Sequence, residues 1–176
     1  MTFSYCPMCG ARLVSRTLGQ EGEVPFCSGC QKPWFRMFPS AVCVLALNPS
    51  GEGLFVTQRR IPGLCLVSGF IAPGETAEET AVREVREETG LTFLNGRLLA
   101  THWYRRDGVL MHLILGWVDE GRPVPSEELT EAFFLPLKEA APRVDPSSTG
   151  VLALLELAEK QALQDEIISG KIEMKK

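Results

Sequence analysis

The chain has no stretch approaching eighteen consecutive apolar residues, which excludes a membrane-spanning helix as read from sequence. Its first residues, MTFSYCPMCG, show no basic segment followed by an apolar run, so no secretory leader is expected and a cytoplasmic location is. Positive charge is also scarce: 18 Lys and Arg against 22 Asp and Glu leave a net charge of −4, with no basic run. General nucleic-acid binders need clustered cations to displace phosphate counterions, so that class is disfavoured. Internal repeats and low-complexity tracts are missing too. A hydrophobic share of 45% and a charged share of 23% are those of a globular protein. At 176 residues the chain can bury one main core and carry a small appendage.

Residues 1–38 differ in texture from the rest, with two Cys pairs, scattered Gly and Pro and no helical period. Cys6 and Cys9 are separated by two residues, seventeen follow, and Cys27 and Cys30 repeat the short spacing. Such pairs can converge on one tetrahedral ion while the long loop forms a hairpin, so residues 1–38 read as a zinc ribbon. Redox CxxC chemistry belongs with a βαβ pattern that is missing here. Four thiolates leave no position for water, which makes the expected Zn²⁺ structural. Cys43 and Cys65, in apolar runs, read as small buried hydrophobes.

From residue 39 to 176 the texture is that of a single α/β domain. The runs AVCVLAL (41–47), GLFVTQ (53–58), GRLLATHWY (96–104) and VLMHLILGWV (109–118) predict strands. TAEETAVREVREETG predicts a helix stopped by Gly90, and TGVLALLELAEKQAL (149–163) predicts a second helix covering the sheet. The tail ISGKIEMKK reads as a frayed or interacting end. Strands interleaved with two helices, without regular βαβ spacing, imply a mixed sheet between helices.

The first helix holds an unusual density of carboxylates. At about 100° per residue, Glu84, Glu87 and Glu88 share an arc about 100° wide, beside Val82 and Val85. Like charges at this spacing cost about 0.2–0.5 kcal/mol per pair. Two readings follow: a solvated acidic face, or a site for a hard divalent cation.

The residues around this helix resemble the Nudix box, G-x5-E-x7-R-E-U-x-E-E-x-G-U with U aliphatic. Gly69, Glu75, Arg83, Glu84, Val85, Glu87, Glu88, Gly90 and Leu91 meet every specified position. The resemblance implies an α/β/α sandwich in which Glu84, Glu87 and Glu88 hold Mg²⁺ or Mn²⁺. It further implies that Glu75 and Arg83 brace the loop and helix, that Gly69 and Gly90 permit turns at either end, and that Glu87 or Glu88 takes a proton from the attacking water. Glu128, with Glu127 and Glu131 behind it, occupies a segment where the family often places a further metal-binding Glu; an ordinary acidic turn is the alternative. Arg59, following Gln58, either contacts a phosphate or is a solvated charge.

A zinc ribbon before a Nudix domain is similar to the arrangement in NADH pyrophosphatases, as is SGFIAPGE at the start of the box. Phe70 there either stacks on a base or packs in the core. The SQPWPFPxS tag of those enzymes is absent, and THWYRRDGV (101–109) stands in its place. His102, Trp103, Tyr104 and Arg105 are therefore either substrate contacts or packing, whereas His112 reads as structural. Trp34, Phe35 and Phe38, in QKPWFRMFPS before the box, read as packing between ribbon and core. The implied activity is metal-dependent hydrolysis of a nucleoside diphosphate linked to another moiety, with NADH, FAD or ADP-ribose as substrate. A non-catalytic nucleotide sensor or adaptor and an enzyme removing RNA caps are the alternatives. Related enzymes often form homodimers.

Overall fold

The structure is a computed structural model describing residues 3–168; the tail read as frayed or interacting lies outside the described residues, apart from its first residue. The chain divides into two compact units, residues 1–38 and 39–176.

In the first unit, strands β1 (Val14–Thr17), β2 (Glu23–Cys27) and β3 (Lys32–Pro33) form a three-stranded antiparallel sheet in that order. The long inter-pair segment supplies β1 and β2, which pair from Val14–Phe26 to Thr17–Glu23, so it does form the expected hairpin. Val24 and Phe26 are the buried residues of β2 beside Cys27. This is very little apolar area, and units under about 40 residues usually need a metal or disulfides to hold a fold. Trp34 packs edge-on against Phe3, with ring centroids 5.8 Å apart.

The second unit is built on a seven-stranded mixed sheet. Its strands are β4 (Ser40–Leu47), β5 (Gly53–Gln58), β6 (Ile61–Cys65), β7 (Val67–Phe70), β8 (Phe93–Tyr104), β9 (Val109–Val118) and β10 (Glu131–Leu135). The order is β10-β5-β4-β9-β8, with β6 on β5 and β7 on β4; β4 and β9 run parallel and the other pairs antiparallel. Only Leu47 and Gly53 are paired between β4 and β5, after which the two strands take different partners.

The helices are α1 (Ala77–Thr89), a short α2 (Leu137–Ala140) and α3 (Thr149–Ile168). Alternation along β4 explains why AVCVLAL reads as a continuous apolar run. Val42, Val44 and Ala46 enter one core with Ala81 and Val85 of α1, while Cys43 and Leu45 enter a second with Leu154, Leu155 and Ala158 of α3. A strand covered on both faces needs apolar side chains at both parities. The result is the expected α/β/α sandwich.

Helix α1 begins where the local chemistry favours it. Thr76 accepts from the Glu79 N–H at 3.2 Å, and the Glu79 carboxylate accepts from the Thr76 N–H at 2.8 Å, a complete capping box. It ends at Gly90, whose φ of 72° is left-handed and whose N–H reaches Arg86 O at 2.9 Å. Its inward stripe is Ala81, Val85, Glu88 and Thr89, whereas Val82 is 45% exposed. Glu88 therefore lies on the buried face itself, not beside it.

Candidate active site

Arg83 organises the acidic face. Its Nε and Nη2 donate to the two carboxylate oxygens of Glu75 at 2.7 and 2.9 Å, and its Nη1 donates to Glu84 at 2.7 Å and Glu87 at 3.2 Å. Nη2 also donates to Phe70 O at 3.2 Å, fastening the strand before the loop to the helix after it. Glu75 accepts further bonds from Thr80 Oγ1 and the Ala72 N–H, at 2.9 and 3.2 Å. Hydrogen bonds from Arg83 first, then Thr80, hold the Glu75 carboxyl down to about 2.

Gly69 departs from expectation. It lies inside β7 and carries no positive φ, so it does not make a turn. Its role is space, because a Cβ at this position would fall within the Glu84 carboxylate. Gly90 does make the turn expected of it.

Glu88 is the most strained member electrostatically. Its side chain is buried, with 6% exposure, and Oε2 has no hydrogen-bond partner. Burial first, then the charges of Glu84, Glu128 and Glu87, push its carboxyl up to about 8. Glu128 arrives through the loop after β9: the Val124 and Ser126 N–H groups donate to Thr89 O and Glu88 O, each at 2.9 Å. Carbonyls left orphaned at the end of α1 thus capture the loop that carries Glu127 and Glu128.

These carboxylates form one wall of a cavity of about 1010 Å³. Glu84, Glu87, Glu88, Glu127, Glu128 and Asp107 line it, and no Lys, Arg or His does so among the described residues. Phe70 lines it too, 63% exposed and outside both cores, so packing is not its role. Tyr104 is on the wall, and so is Gln58. Arg59 is not: it sits in the exposed turn after β5, and the neighbouring Gln58 faces the cavity instead. Glu131, at the start of β10, is also off the wall. His112 Nε2 lies 3.0 Å from Ser40 Oγ, a link between neighbouring strands that fits a structural histidine. Among the wall residues that sequence reasoning passed over are Asp107, within THWYRRDGV, and Ser148 and Gly150 before and within the first turn of α3. Their signal was weak, since loop residues acquire a shared site only when distant segments meet.

A buried carboxylate without a partner, beside Glu84, Glu87 and Glu128 in a cavity that no Lys, Arg or His lines among the described residues, fits a hard divalent cation with oxygen ligands. In the N-terminal unit the Sγ atoms of Cys6, Cys9, Cys27 and Cys30 all lie within 4.8 Å of one another. Sulfurs at about 2.3 Å from a common tetrahedral ion sit about 3.8 Å apart. The Cys6–Cys30 and Cys9–Cys27 separations are 3.9 and 3.5 Å, which fits Zn²⁺. Hydrogen bonding to Cys9 first, then burial and the other sulfurs, push the Cys30 thiol up to about 12, a burden that a cation in place of the protons removes.

Fold and box together define a Nudix domain, and the chain belongs to the NUDIX domain family, whose match covers residues 37–155. It is 29% identical over 170 residues to the NAD-capped RNA hydrolase NudC of Vibrio cholerae, covering 94% of this chain and 61% of that one. The chain thus spans about 61% of the length of that curated relative. Among solved structures it is similar to a NUDIX hydrolase from Nitrosomonas europaea, with TM-score 0.71, 18% identity and coverage of 91% and 93% of the two chains. It is also similar to the NUDIX domain of Shewanella oneidensis NrtR complexed with ADP ribose, with TM-score 0.62, 18% identity and coverage of 73% and 90%. No helix among the described residues is long and apolar enough to cross a membrane.

Proposed function

We propose that the chain hydrolyses the diphosphate linkage of a nucleoside diphosphate joined to a second moiety, with an NADH- or FAD-type dinucleotide or ADP-ribose as substrate. The observation that carries this reading is the cavity's charge: six carboxylates and no cationic side chain among its described lining residues. An anionic substrate can occupy such a space only with divalent cations, which Glu84, Glu87, Glu88 and Glu128 would hold as Mg²⁺ or Mn²⁺. When bound, such a cation supplies charge neutralisation and Lewis acidity at phosphorus. Arg83 and Glu75 keep the carboxylates in place, and Gly69 leaves room for Glu84. Glu88 Oε2, unpartnered, takes the proton as water oxygen bonds to phosphorus and the bridging P–O bond breaks, releasing two phosphate monoesters. Phe70 and Tyr104 offer rings to the bases; one base–aromatic stack contributes about 1–3 kcal/mol. Cys6, Cys9, Cys27 and Cys30 hold Zn²⁺ as a structural staple of the ribbon.

The size of the cavity supports a substrate with two moieties, since ligand pockets usually span about 300–1,000 Å³. A second reading, the same cleavage at an NAD cap on RNA, is supported by the description of the Vibrio cholerae relative. The test offers NADH, FAD, ADP-ribose and NAD-capped RNA with Mg²⁺ or Mn²⁺ and separates the products. Mononucleotide release that Glu88→Gln abolishes is the expected result. Tight binding without turnover of any of the four would sink the proposal in favour of a sensor.

A further inference from the structure

One stretch of the cavity wall lies outside the four carboxylates assigned to the cations. It is formed by Tyr104 and Asp107, at the turn between β8 and β9, and by Ser148, Gly150 and Val151, where α3 begins. Two links hold these segments together: His102 Nε2 lies 2.9 Å from Thr149 Oγ1, and Tyr104 Oη donates to Ser147 O at 3.4 Å. The Asp145 carboxylate in turn accepts from the Ser147 N–H at 2.8 Å and from its hydroxyl at 2.5 Å. The turn carrying Asp107 is closed by the Gly108 N–H on Tyr104 O at 2.9 Å. The wall is braced from both sides.

Asp107 is the acidic residue of this stretch. It is exposed on its turn, and among the described residues its carboxylate makes no hydrogen bond or ion pair, so both oxygens are open to a ligand in the cavity; the charges felt at Glu88 come from Glu84, Glu128 and Glu87 rather than from it. Arg105 and Arg106 share its turn but do not line the cavity. An isolated carboxylate in a space for an anionic substrate is repulsive toward phosphate. Its two oxygens can instead accept from two neighbouring hydroxyls, as acidic residues do on nucleotide riboses elsewhere. Tyr104, Val109, Met111 and Val151 give the same region an apolar surface for the sugar and base.

We propose that this stretch is a ribose subsite and that Asp107 is a specificity-determining residue, accepting an unphosphorylated ribose diol and excluding a ribose that carries a phosphate. The inference rests on the proposed reading of the substrate as a nucleotide joined through a diphosphate. Phosphate attached to the diol removes a donor and adds negative charge where no cationic side chain lines the wall.

The test compares kcat/KM for NADH, for NADPH, which is phosphorylated on the adenosine ribose, and for NADH phosphorylated on the nicotinamide ribose, in the wild type, Asp107→Asn and Asp107→Glu. Nicotinamide fluorescence titrations give binding ratios for the same proteins and ligands. The wild type is expected to reject at least one phosphorylated form. Asp107→Asn should raise that form's ratio to NADH about tenfold, and Asp107→Glu, which keeps the charge, should retain the discrimination. Turnover of NADH with ratios unchanged in Asp107→Asn overturns the subsite and leaves the reaction standing. Discriminating binding without turnover overturns the reaction and supports the subsite, and failure of all three to bind overturns both.

Discussion

Glu88 is held at about 8 against an ordinary 4.5, so between those values the metal-free folded chain keeps a proton that the unfolded chain has lost. Its contribution to stability is full below pH 4.5 and is lost as pH rises through about 8. Denaturant titrations of the metal-free protein should show stability falling across this window, and Glu88→Gln should flatten that fall. The same proton competes with a cation, so affinity for Mn²⁺ should rise with pH over that range, as calorimetry can measure. Glu75 behaves oppositely: held down to about 2, it contributes above pH 4.5 and loses that contribution as pH falls through about 2. Gly69 belongs to the same scale. In Gly69→Ala the new methyl must displace the Glu84 carboxylate, and loss of such positioning typically costs about 10–100-fold in metal affinity or activity. A folded Gly69→Ala protein with unchanged Mn²⁺ affinity would contradict this role.

Helix α1 is both a structural and a functional element. Its capping box ties Thr76 to Glu79, so Thr76→Ala should lower stability by about 1 kcal/mol in chemical denaturation. Activity should fall little, because the Arg83 bonds to Glu75 and Phe70 O fix the helix start independently. The loop after β9 is held by the opposite end of the helix through Glu88 O and Thr89 O. Helix phase was legible in REVREETG, but the identity of the buried stripe was not. Val82 and Glu88 both border Val85 on a helical projection, and only the sheet's position decides that Glu88 turns inward while Val82 faces out. Gly69 illustrates the same limit, since its place in the box was plain but the collision it avoids lies with a residue fifteen positions on.

At the scale of the molecule, the two units differ in what holds them. Residues 39–176 bury two cores on either side of a sheet, and Phe55→Ala should cost about 3–5 kcal/mol there. Among the described residues the N-terminal unit buries only Val24, Phe26, Cys6 and Cys27. A strong chelator should therefore free the sulfurs of Cys6, Cys9, Cys27 and Cys30 to react with a thiol reagent while Cys43 and Cys65 stay protected by burial in the larger unit. Reactivity of all six, or of none, would contradict this division. Strands 53–58 and 109–118 were readable from apolar runs, and the end of α1 from Gly90, because those signals are local. β6, β7 and β10 were not separately predicted: they are short, and their pairing depends on the divergence of β4 from β5. By itself the sequence determined the family, through the fixed spacing of Gly69 to Leu91, and the paired cysteines, because both are patterns along the chain. Only the tertiary structure decided that Glu88 is buried and unpartnered, that Arg59 lies off the cavity, and that Asp107 shares the cavity wall with the start of α3, because each depends on segments that the sheet brings together from far apart.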